Sequence, residues 1–465
     1  MDARPISFLV SACGGEWVAG SPNGEVKRVC TDSRQVAPGD AFFALAGERF
    51  DGHEFVAEAA ARGAVAVVVN RSRASLAPAG CAVVAVGDTR RALGQLAARY
   101  RQSFKIPTVA VGGSNGKTST KDLIAAVLRQ RLRLVSSEAS FNNDIGVPLT
   151  LLRLESPHQA AVLEAGTNHP GELAPLVQMI QPTLGVITSL GREHLEFFGD
   201  LAGVVQEEGM LAELLPESGK LFINGDSEWA PAVIGRTRAR VVRTGFAQGN
   251  EWRVRASRLD RQGITFRVEA PDPVFAGEYR IGLLGRHQAA NALFAIALGA
   301  ELGLSRAEIE RGLAECRPAR MRLEFWEQNG IRVLDDAYNA NADSMLAALR
   351  TLREFPCRGR RVAVLGDMGE LGAHSEAAHE EVGRYAAEAG VGQLFAVGRM
   401  AAALARGARG AGLNRVFEFA EVEAAGAAVK SFVRAGDLLL IKASRATRLE
   451  RITQLFRGPD AARKN

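Results

Sequence analysis

Short apolar runs separated by amphipathic stretches set the pattern of this chain. "AVAVVV" from position 64 and "CAVVAV" from 81 are rich in β-branched residues and read as buried strands, and "TRRALGQLAARYRQSF" then carries apolar residues at helical spacing. A new block opens at Pro107. There "IPTVAVGG" is a buried-strand pattern that ends in glycines and runs into a helix predicted over Thr118–Leu132. Strand runs follow at "AAVLEAG", "LGVITSL" and "GKLFINGD", with helical patterns between several of them, and "RHQAANALFAIALGAELG" reads as a long helix stopped by Gly303. From about Arg317 the order is strand "IRVLDDAY", helix "SMLAALRTLREF", strand "RRVAVLGD", helix "SEAAHEEVGRYAAEAG", strand "QLFAVG" and strand "DLLLIKAS", a small doubly wound unit of Rossmann type. The stretch "AAALARGARGAGLNR" reads as helix and loop, not as a repeat. Strands alternating with helices predict an α/β protein with mostly parallel sheets, in three units: 1–104, 105–316 and 317–465.

Composition sharpens this picture without overturning it. A chain of 465 residues exceeds one ordinary core, and 47% hydrophobic with 23% charged residues is the balance of a soluble globular protein. No apolar run reaches the length of a membrane span, so stable membrane insertion is not expected. Val10-Ser11-Ala12-Cys13 resembles a lipoprotein cleavage box, but the apolar stretch before it, Ile6 to Val10, is too short for a secretory core and reads as the start of the fold. The five cysteines are scattered, with no C-x-x-C, which argues for a reducing cytoplasm and against a disulfide scaffold or a zinc site. The net charge of +5 is spread along the chain without a dense basic run. That excludes nucleic acid as the expected partner and suits an enzyme of small anionic substrates.

The chemistry concentrates in "VAVGGSNGKTSTK". A strand, a glycine-rich turn and a helix start form a phosphate cradle, in which backbone N–H groups and the helix N-terminus supply positive potential. The spacing is short of the common G-x-x-x-x-G-K-[ST] loop, because the position where the first glycine belongs is Val111. Lys117 is expected to neutralise phosphate charge and the Thr118 hydroxyl to ligate Mg²⁺. Glu164 ends the strand "AAVLEAG" and so reaches the same rim of the sheet, where magnesium needs hard oxygen ligands. His194, in "GREHLEFFG", follows another such strand; alone it reads equally as a structural histidine.

In order along the chain, "GGSNGKTSTK", "NNDIGVPLTLL", "LEAGTNHPGEL", "ITSLGREHLEFFG", "GRHQAANALFAIA", "DDAYNANADSM", "VLGDMGELG" and "LLIKASR" resemble the Mur ligases of peptidoglycan synthesis, whose phosphate loop has this short form. "DDAYNAN", "GDMGELG" and "KASR" together resemble the branch that joins D-Ala-D-Ala to UDP-N-acetylmuramoyl-tripeptide through an acyl phosphate made with ATP. The resemblance implies a UDP-binding domain, a central ATPase domain and a Rossmann-like C-terminal domain, working in the bacterial cytoplasm as a monomer with two Mg²⁺. It implies that Ser33, Arg34, Gly47, Asp51 and His53 line the UDP site, although "TDSR" by itself reads as an Asx-type turn. Gly113, Ser114, Asn115, Gly116, Lys117, Thr118 and Ser119 are expected to hold the ATP phosphates, with Asn291 at the adenine, Arg322 at the γ-phosphate and Asp336 at the ribose. Asn142 and Asn143 are expected to shape the substrate channel, and Tyr338, Asn339, Asn341, Lys442, Ser444 and Arg445 to face the dipeptide; the alternative for this last group is plain loop structure.

One departure stands out. The family places a carbamylated lysine after the H-L-E segment, near the second magnesium, whereas "LAGVVQEEGMLAELL" has Glu208 there. The glutamate supplies a carboxylate on a side chain three atoms shorter, about 3–4 Å of reach. Glu208 is therefore expected to replace the carbamate as a metal ligand beside Thr118, Glu164 and His194, with Glu207 facing elsewhere; the alternative is that both are solvated helix charges. Smaller departures are "MRL", "DDAY" and Ala342, none of which removes a charge. Rival readings are a sister ligase that adds the third residue, a folylpolyglutamate synthetase, or a non-catalytic UDP-sugar-binding protein. Retention of Lys117, Thr118, Glu164 and His194 speaks against the last.

Overall fold

A computed structural model describes residues 1–47, 50–76 and 80–457; positions 48–49 of the "GERF" stretch and 458–465 at the end of the third block lie outside it. Among the described residues the chain forms three main sheets and a two-stranded ribbon. The five-stranded first sheet runs Glu16–Ala19, Ala82–Val86, Ala66–Asn70, Asp40–Phe43 and Arg28–Cys30 in spatial order, parallel except for the first strand. Ile6–Ala12 is a helix that buries Ile6 and Leu9, which suits its reading as the start of the fold.

The central sheet has nine strands, with Thr108–Gly112 between Leu184–Ile187 and Ala160–Glu164. Its strands are β-branched and apolar because both faces are covered. Ala110, Ala161 and Leu163 enter one core and Val109, Val111 and Val162 the other, the alternation a pleated strand imposes. The Lys117–Leu128 helix lies against the long Arg286–Glu301 helix, as the apolar periodicity predicts, and it ends before the expected Leu132. The apolar pattern does not reveal the antiparallel extension Trp252–Asp260, Gly263–Glu269 and Gly277–Ile281. Its first strand carries arginine at 253, 255 and 258, which masks the alternation.

The third sheet holds five parallel strands and one antiparallel edge strand, Glu324–Gln328. Helices cover both faces, so the doubly wound expectation holds. However, the last strand, Leu438–Lys442, inserts between Ile331–Asp335 and Arg361–Gly366, a strand order unlike that of dinucleotide-binding sheets. The strand Val416–Phe419 and the helix Val422–Phe432 add to the elements that the sequence pattern predicts.

The two junctions between these units both contain apolar packing and differ in their polar contacts. Residues of the first unit (Leu9, Leu93, Tyr100) and of the central one (Leu151, Leu163, Leu173) belong to one continuous apolar core. The buried Arg101 guanidinium pins that junction by donating to the carbonyls of Ile180 (3.1 Å) and Phe104 (2.6 Å) and to Thr108 Oγ1 (2.7 Å). The third unit has a core of its own around Val364 and Phe395, and it meets the central unit both through a shared apolar cluster, to which Leu195, Val204 and Leu284 contribute, and through polar side chains around Arg192 and Asn341.

Asp335 ends a buried strand at 1% exposure, and burial pushes its carboxyl up to about 6. The folded chain then holds the proton more tightly than the unfolded chain, so stability is lost as pH rises from about 4 through 6. Asp335→Asn should raise stability above pH 6 by about 1–3 kcal/mol and leave it unchanged near pH 4, as read from denaturant midpoints. An Asn variant no more stable at pH 8 than the parent would contradict this.

Candidate active site

The Thr108–Gly112 strand delivers its glycines to the rim where Glu164 and Ile187 also end, because these three strands are in register. The loop that follows is stitched to the Thr188–Gly191 segment. Ser114 N–H donates to the Ser189 carbonyl (2.8 Å), Asn115 N–H to Ser189 Oγ (2.8 Å), and Thr188 Oγ1 to the Asn115 carbonyl (2.7 Å). This close approach requires the glycines. Gly113 has φ +108°, and a Cβ there would lie 2.6 Å from Thr188 Oγ1; Gly116 has φ +87°, and its Cβ would meet Asn291 Oδ1 at 2.7 Å. The compact loop is thus held by a neighbouring strand end and by the long helix. The helix starts at Lys117, leaving first-turn N–H groups at Lys117, Thr118 and Ser119 without intrahelical acceptors.

Lys117 Nζ donates to the carbonyls of Gly113 (2.6 Å) and Ser114 (3.3 Å) and to Glu193 Oε2 (3.3 Å). Glu193 does not stand out in the sequence; it is only 6% exposed, and its place beside His194 is the one signal the sequence offers. Burial alone would lower the Lys117 pKa, but Glu193, Glu208 and Glu164 outweigh it and hold the ammonium above its ordinary value. Burial raises the Glu193 carboxyl, against the pull of Lys117. Glu208 is 1% exposed; its Oε2 accepts the Gly113 N–H (2.6 Å), while Oε1 has no partner. Burial pushes Glu208 up to about 8. Its proton is therefore held more tightly than that of a solvated carboxylic acid, against the opposing pull of the Lys117 ammonium. Neither glutamate is a solvated helix charge. Glu207 faces elsewhere and is buried too, accepting from the N–H groups of Gly171 (2.8 Å) and Leu173 (2.7 Å).

Glu164 Oε1 accepts from Asn142 Nδ2 (2.9 Å), and Glu164 Oε2 is buried without a partner. Thr118 Oγ1 is 3.4 Å from Ser140 Oγ, on a loop that buried Lys121 fastens through the carbonyls of Ser137 and Ala139. Arg322 donates to the same Ser140 Oγ (3.2 Å) and stacks on Tyr338 (4.2 Å to the ring centre). His194 pairs through Nδ1 with Glu370 of the third unit, leaving Nε2 3.9 Å from Glu193 Oε2. Among the described residues no three His, Cys, Asp or Glu side chains form a metal cage. The donor set nevertheless fits magnesium, which takes one or two carboxylates and completes its shell with phosphate and water. Two buried, unpartnered carboxylate oxygens and a hydroxyl surround the loop, with three carboxylates set against one ammonium.

Other expected residues are committed within the protein. Asp336 Oδ2 pairs with buried Lys442 (2.7 Å), which also donates to the Asn339 carbonyl (2.8 Å). Asn341 caps the Ala342–Glu354 helix and reaches Asn115 Oδ1 (3.0 Å), which joins it to the phosphate loop. Asn143 Oδ1 accepts from the N–H groups of Ile145 (3.2 Å) and Gly146 (2.9 Å), which fixes the local turn. Asn291 packs at Gly116, its amide donating to Gln288. Ser444 is buried beside Thr447, and Arg445 is exposed and pairs with Glu450. In the first unit, Arg34 pairs with Asp32 at the surface, Ser33 donates to Glu58, and Gly47 N–H donates to the Phe50 carbonyl. His53 is buried, its Nε2 accepts the Asn70 N–H (3.0 Å) and its Nδ1 donates to Asp51 (2.6 Å), so both nitrogens have partners within the first unit.

Family models cover most of the chain: "Mur ligase family, catalytic domain" over 25–101, "Mur ligase middle domain" over 111–299 and "Mur ligase, glutamate ligase domain" over 321–445. The chain is 38% identical to the UDP-N-acetylmuramoyl-tripeptide–D-alanyl-D-alanine ligase of Escherichia coli over 92% of both chains, and 35% identical to the Bacillus subtilis enzyme of that name, again over 92% of each. Among solved structures it is similar to MurF from Acinetobacter baumannii (31% identity, 98% of both chains, TM-score 0.88). It is also similar to MurF from Thermotoga maritima in complex with ADP (25% identity, 93% and 97% of the chains, TM-score 0.81). Motifs, sheet topology and the stitched phosphate loop thus agree with these matches, and the chain belongs to the Mur ligase family.

Proposed function

We propose that this chain joins D-Ala-D-Ala to the terminal carboxylate of UDP-N-acetylmuramoyl-tripeptide, driven by ATP, in the synthesis of peptidoglycan precursors. It is an ATP-dependent ligase that forms an amide bond. The observation that carries the reaction class is the ammonium of Lys117 at a short phosphate loop among Glu164, Glu193 and Glu208. The substrates are supported by identity over 92% of both chains to ligases that bear them in their names. Monomeric action in the bacterial cytoplasm is part of the same reading.

In the first step a carboxylate oxygen attacks the γ-phosphorus of ATP; the bond to the β-phosphate oxygen breaks and ADP leaves. In the second, the dipeptide amine attacks the acyl carbon, the C–N bond forms, inorganic phosphate departs and the amine gives up a proton. Two anions must meet in the first step, so the protein's task is charge neutralisation and positioning. Lys117 and the first-turn N–H groups at Lys117, Thr118 and Ser119 would hold phosphate oxygens, with Gly113, Ser114, Asn115 and Gly116 shaping the turn and Asn291 backing it. Arg322, anchored on Ser140, stands where it can meet the transferred group. Asp336, held by Lys442, would take the ribose, and Tyr338 and Asn341 border the side from which the amine arrives. Thr118, Glu164, His194 and Glu208 would hold magnesium, which when bound supplies the charge that lets the carboxylate approach the triphosphate. Ser33, Arg34, Gly47 and Asp51 would line the UDP end.

ADP release should require both UDP-muramoyl-tripeptide and D-Ala-D-Ala, falling below about a tenth when either is omitted. A faster rate with UDP-muramoyl-dipeptide and a single amino acid would overturn the assignment. Because Glu208 needs no carbamate, the rate should be unchanged in bicarbonate-depleted buffer, and Glu208→Ala should lower kcat by about 100-fold. Recovery of a depleted wild-type enzyme by added bicarbonate would contradict the role of Glu208.

A further inference from the structure

The segment Gly191–His194 touches both the phosphate loop and the third unit. Gly191 exchanges hydrogen bonds with Ser114, its N–H donating to Ser114 Oγ (2.8 Å) and its carbonyl accepting from the same hydroxyl (3.2 Å). A Cβ on Gly191 would lie 2.6 Å from Asp343 Oδ2, so the third unit closes down on bare backbone here. The Arg192 N–H donates to Asp343 Oδ2 (2.7 Å) while its guanidinium grips Asp343 Oδ1 through Nε (2.9 Å) and Nη2 (2.7 Å). The other edge of the same guanidinium reaches Glu381 through Nη1 (2.6 Å) and Nη2 (3.3 Å). Asp343 sits in the first turn of the Ala342–Glu354 helix, whose cap Asn341 reaches Asn115 of the phosphate loop. Glu193, next in the chain, turns the opposite way to Lys117.

We infer that Arg192 is a positioning residue that clasps the third unit: by holding Asp343 and Glu381 it keeps Asn341 on the phosphate loop and Glu193 against Lys117, so that the loop lysine is set in place only while the units are docked. The inference rests on the ligase reading above for its activity arm. Leu195, Val204 and Leu284 join the central unit to the third by apolar packing, whereas the ions and amides at Arg192 and Asn341 are the contacts that continue into the phosphate loop and so bear on its geometry. A planar fork that grips two carboxylates at once is suited to fix an orientation as well as a distance. Lysine would not reproduce it.

The test uses the full chain with Arg192→Ala, Arg192→Lys and the exchanged pair Arg192→Glu with Glu381→Arg. For Arg192→Ala, kcat should fall at least about tenfold, since a displacement near 1 Å suffices for such a loss. The KM for UDP-muramoyl-tripeptide should stay within about twofold, because the first two units are undisturbed. Arg192→Lys should remain impaired and the exchanged pair should regain part of the loss. Small-angle scattering with ADP and magnesium present should show a larger radius for Arg192→Ala than for the parent, at equal thermal midpoints. High salt should expand the parent and leave the variant unchanged. Wild-type kcat in Arg192→Ala, an unchanged scattering radius, or a rise in KM alone would overturn the clasp. If the parent released no ADP with any of the substrates, the ligase reading would fall, and the scattering arm would still decide the clasp.

Discussion

One ammonium set among three buried carboxylates is the constraint around which this molecule is arranged. Holding Lys117, Glu164, Glu193 and Glu208 largely out of water is unfavourable unless each charge is answered. The protein answers only part of the imbalance: the Gly113 N–H serves Glu208, Asn142 serves Glu164, and Lys117 serves Glu193. The remainder is a surplus of hard, negative oxygen, an environment that favours divalent cations and the phosphates they accompany. Much of the surrounding architecture serves to assemble these four groups. Three strands end in register, two glycines let backbone pass within contact of the neighbouring segment, and the helix that bears Glu208 brings its carboxylate to the Gly113 N–H.

The sequence is legible where chemistry and periodicity coincide. Lys117, Thr118 and Glu164 stand out because a glycine turn and a buried-strand carboxylate have few other meanings, and the family is legible from the ordered motifs taken together, of which the shortened loop is one. Most of the strands follow from apolar runs. What escapes is tertiary in origin. Glu193 and Arg192 look like ordinary loop charges in "GREH" until the fold turns one inward and the other outward. The internal partners of His53 and Lys442 are equally hidden from the sequence, since a backbone amide, a carbonyl and neighbouring carboxylates reach them only in the folded chain. The antiparallel extension escapes because arginines overwrite its alternation. The state of Glu208 is likewise invisible to spacing, since its proton affinity is set by burial that only the packed helix creates.

Conformational response is distributed unevenly through the chain. A junction made of shared apolar core resists shear because any displacement exposes hydrocarbon to water. The second junction mixes the apolar packing of Leu195, Val204 and Leu284 with ion pairs and amides, and its polar part loses little on opening, since water can replace each partner. The backbone near the second junction includes Met321 and Leu323 at positive φ, the sort of local geometry that a connecting segment keeps only under tertiary restraint.

The fused first junction has a metric consequence. With Arg101 and a continuous core welding the first unit to the second, the span from the 33–53 loops to the phosphate loop is a fixed length, like the jaws of a caliper set once. A molecule that must touch both ends is gauged by its own extent, and one a residue too short or too long presents the wrong atom at the far jaw however well its near end fits.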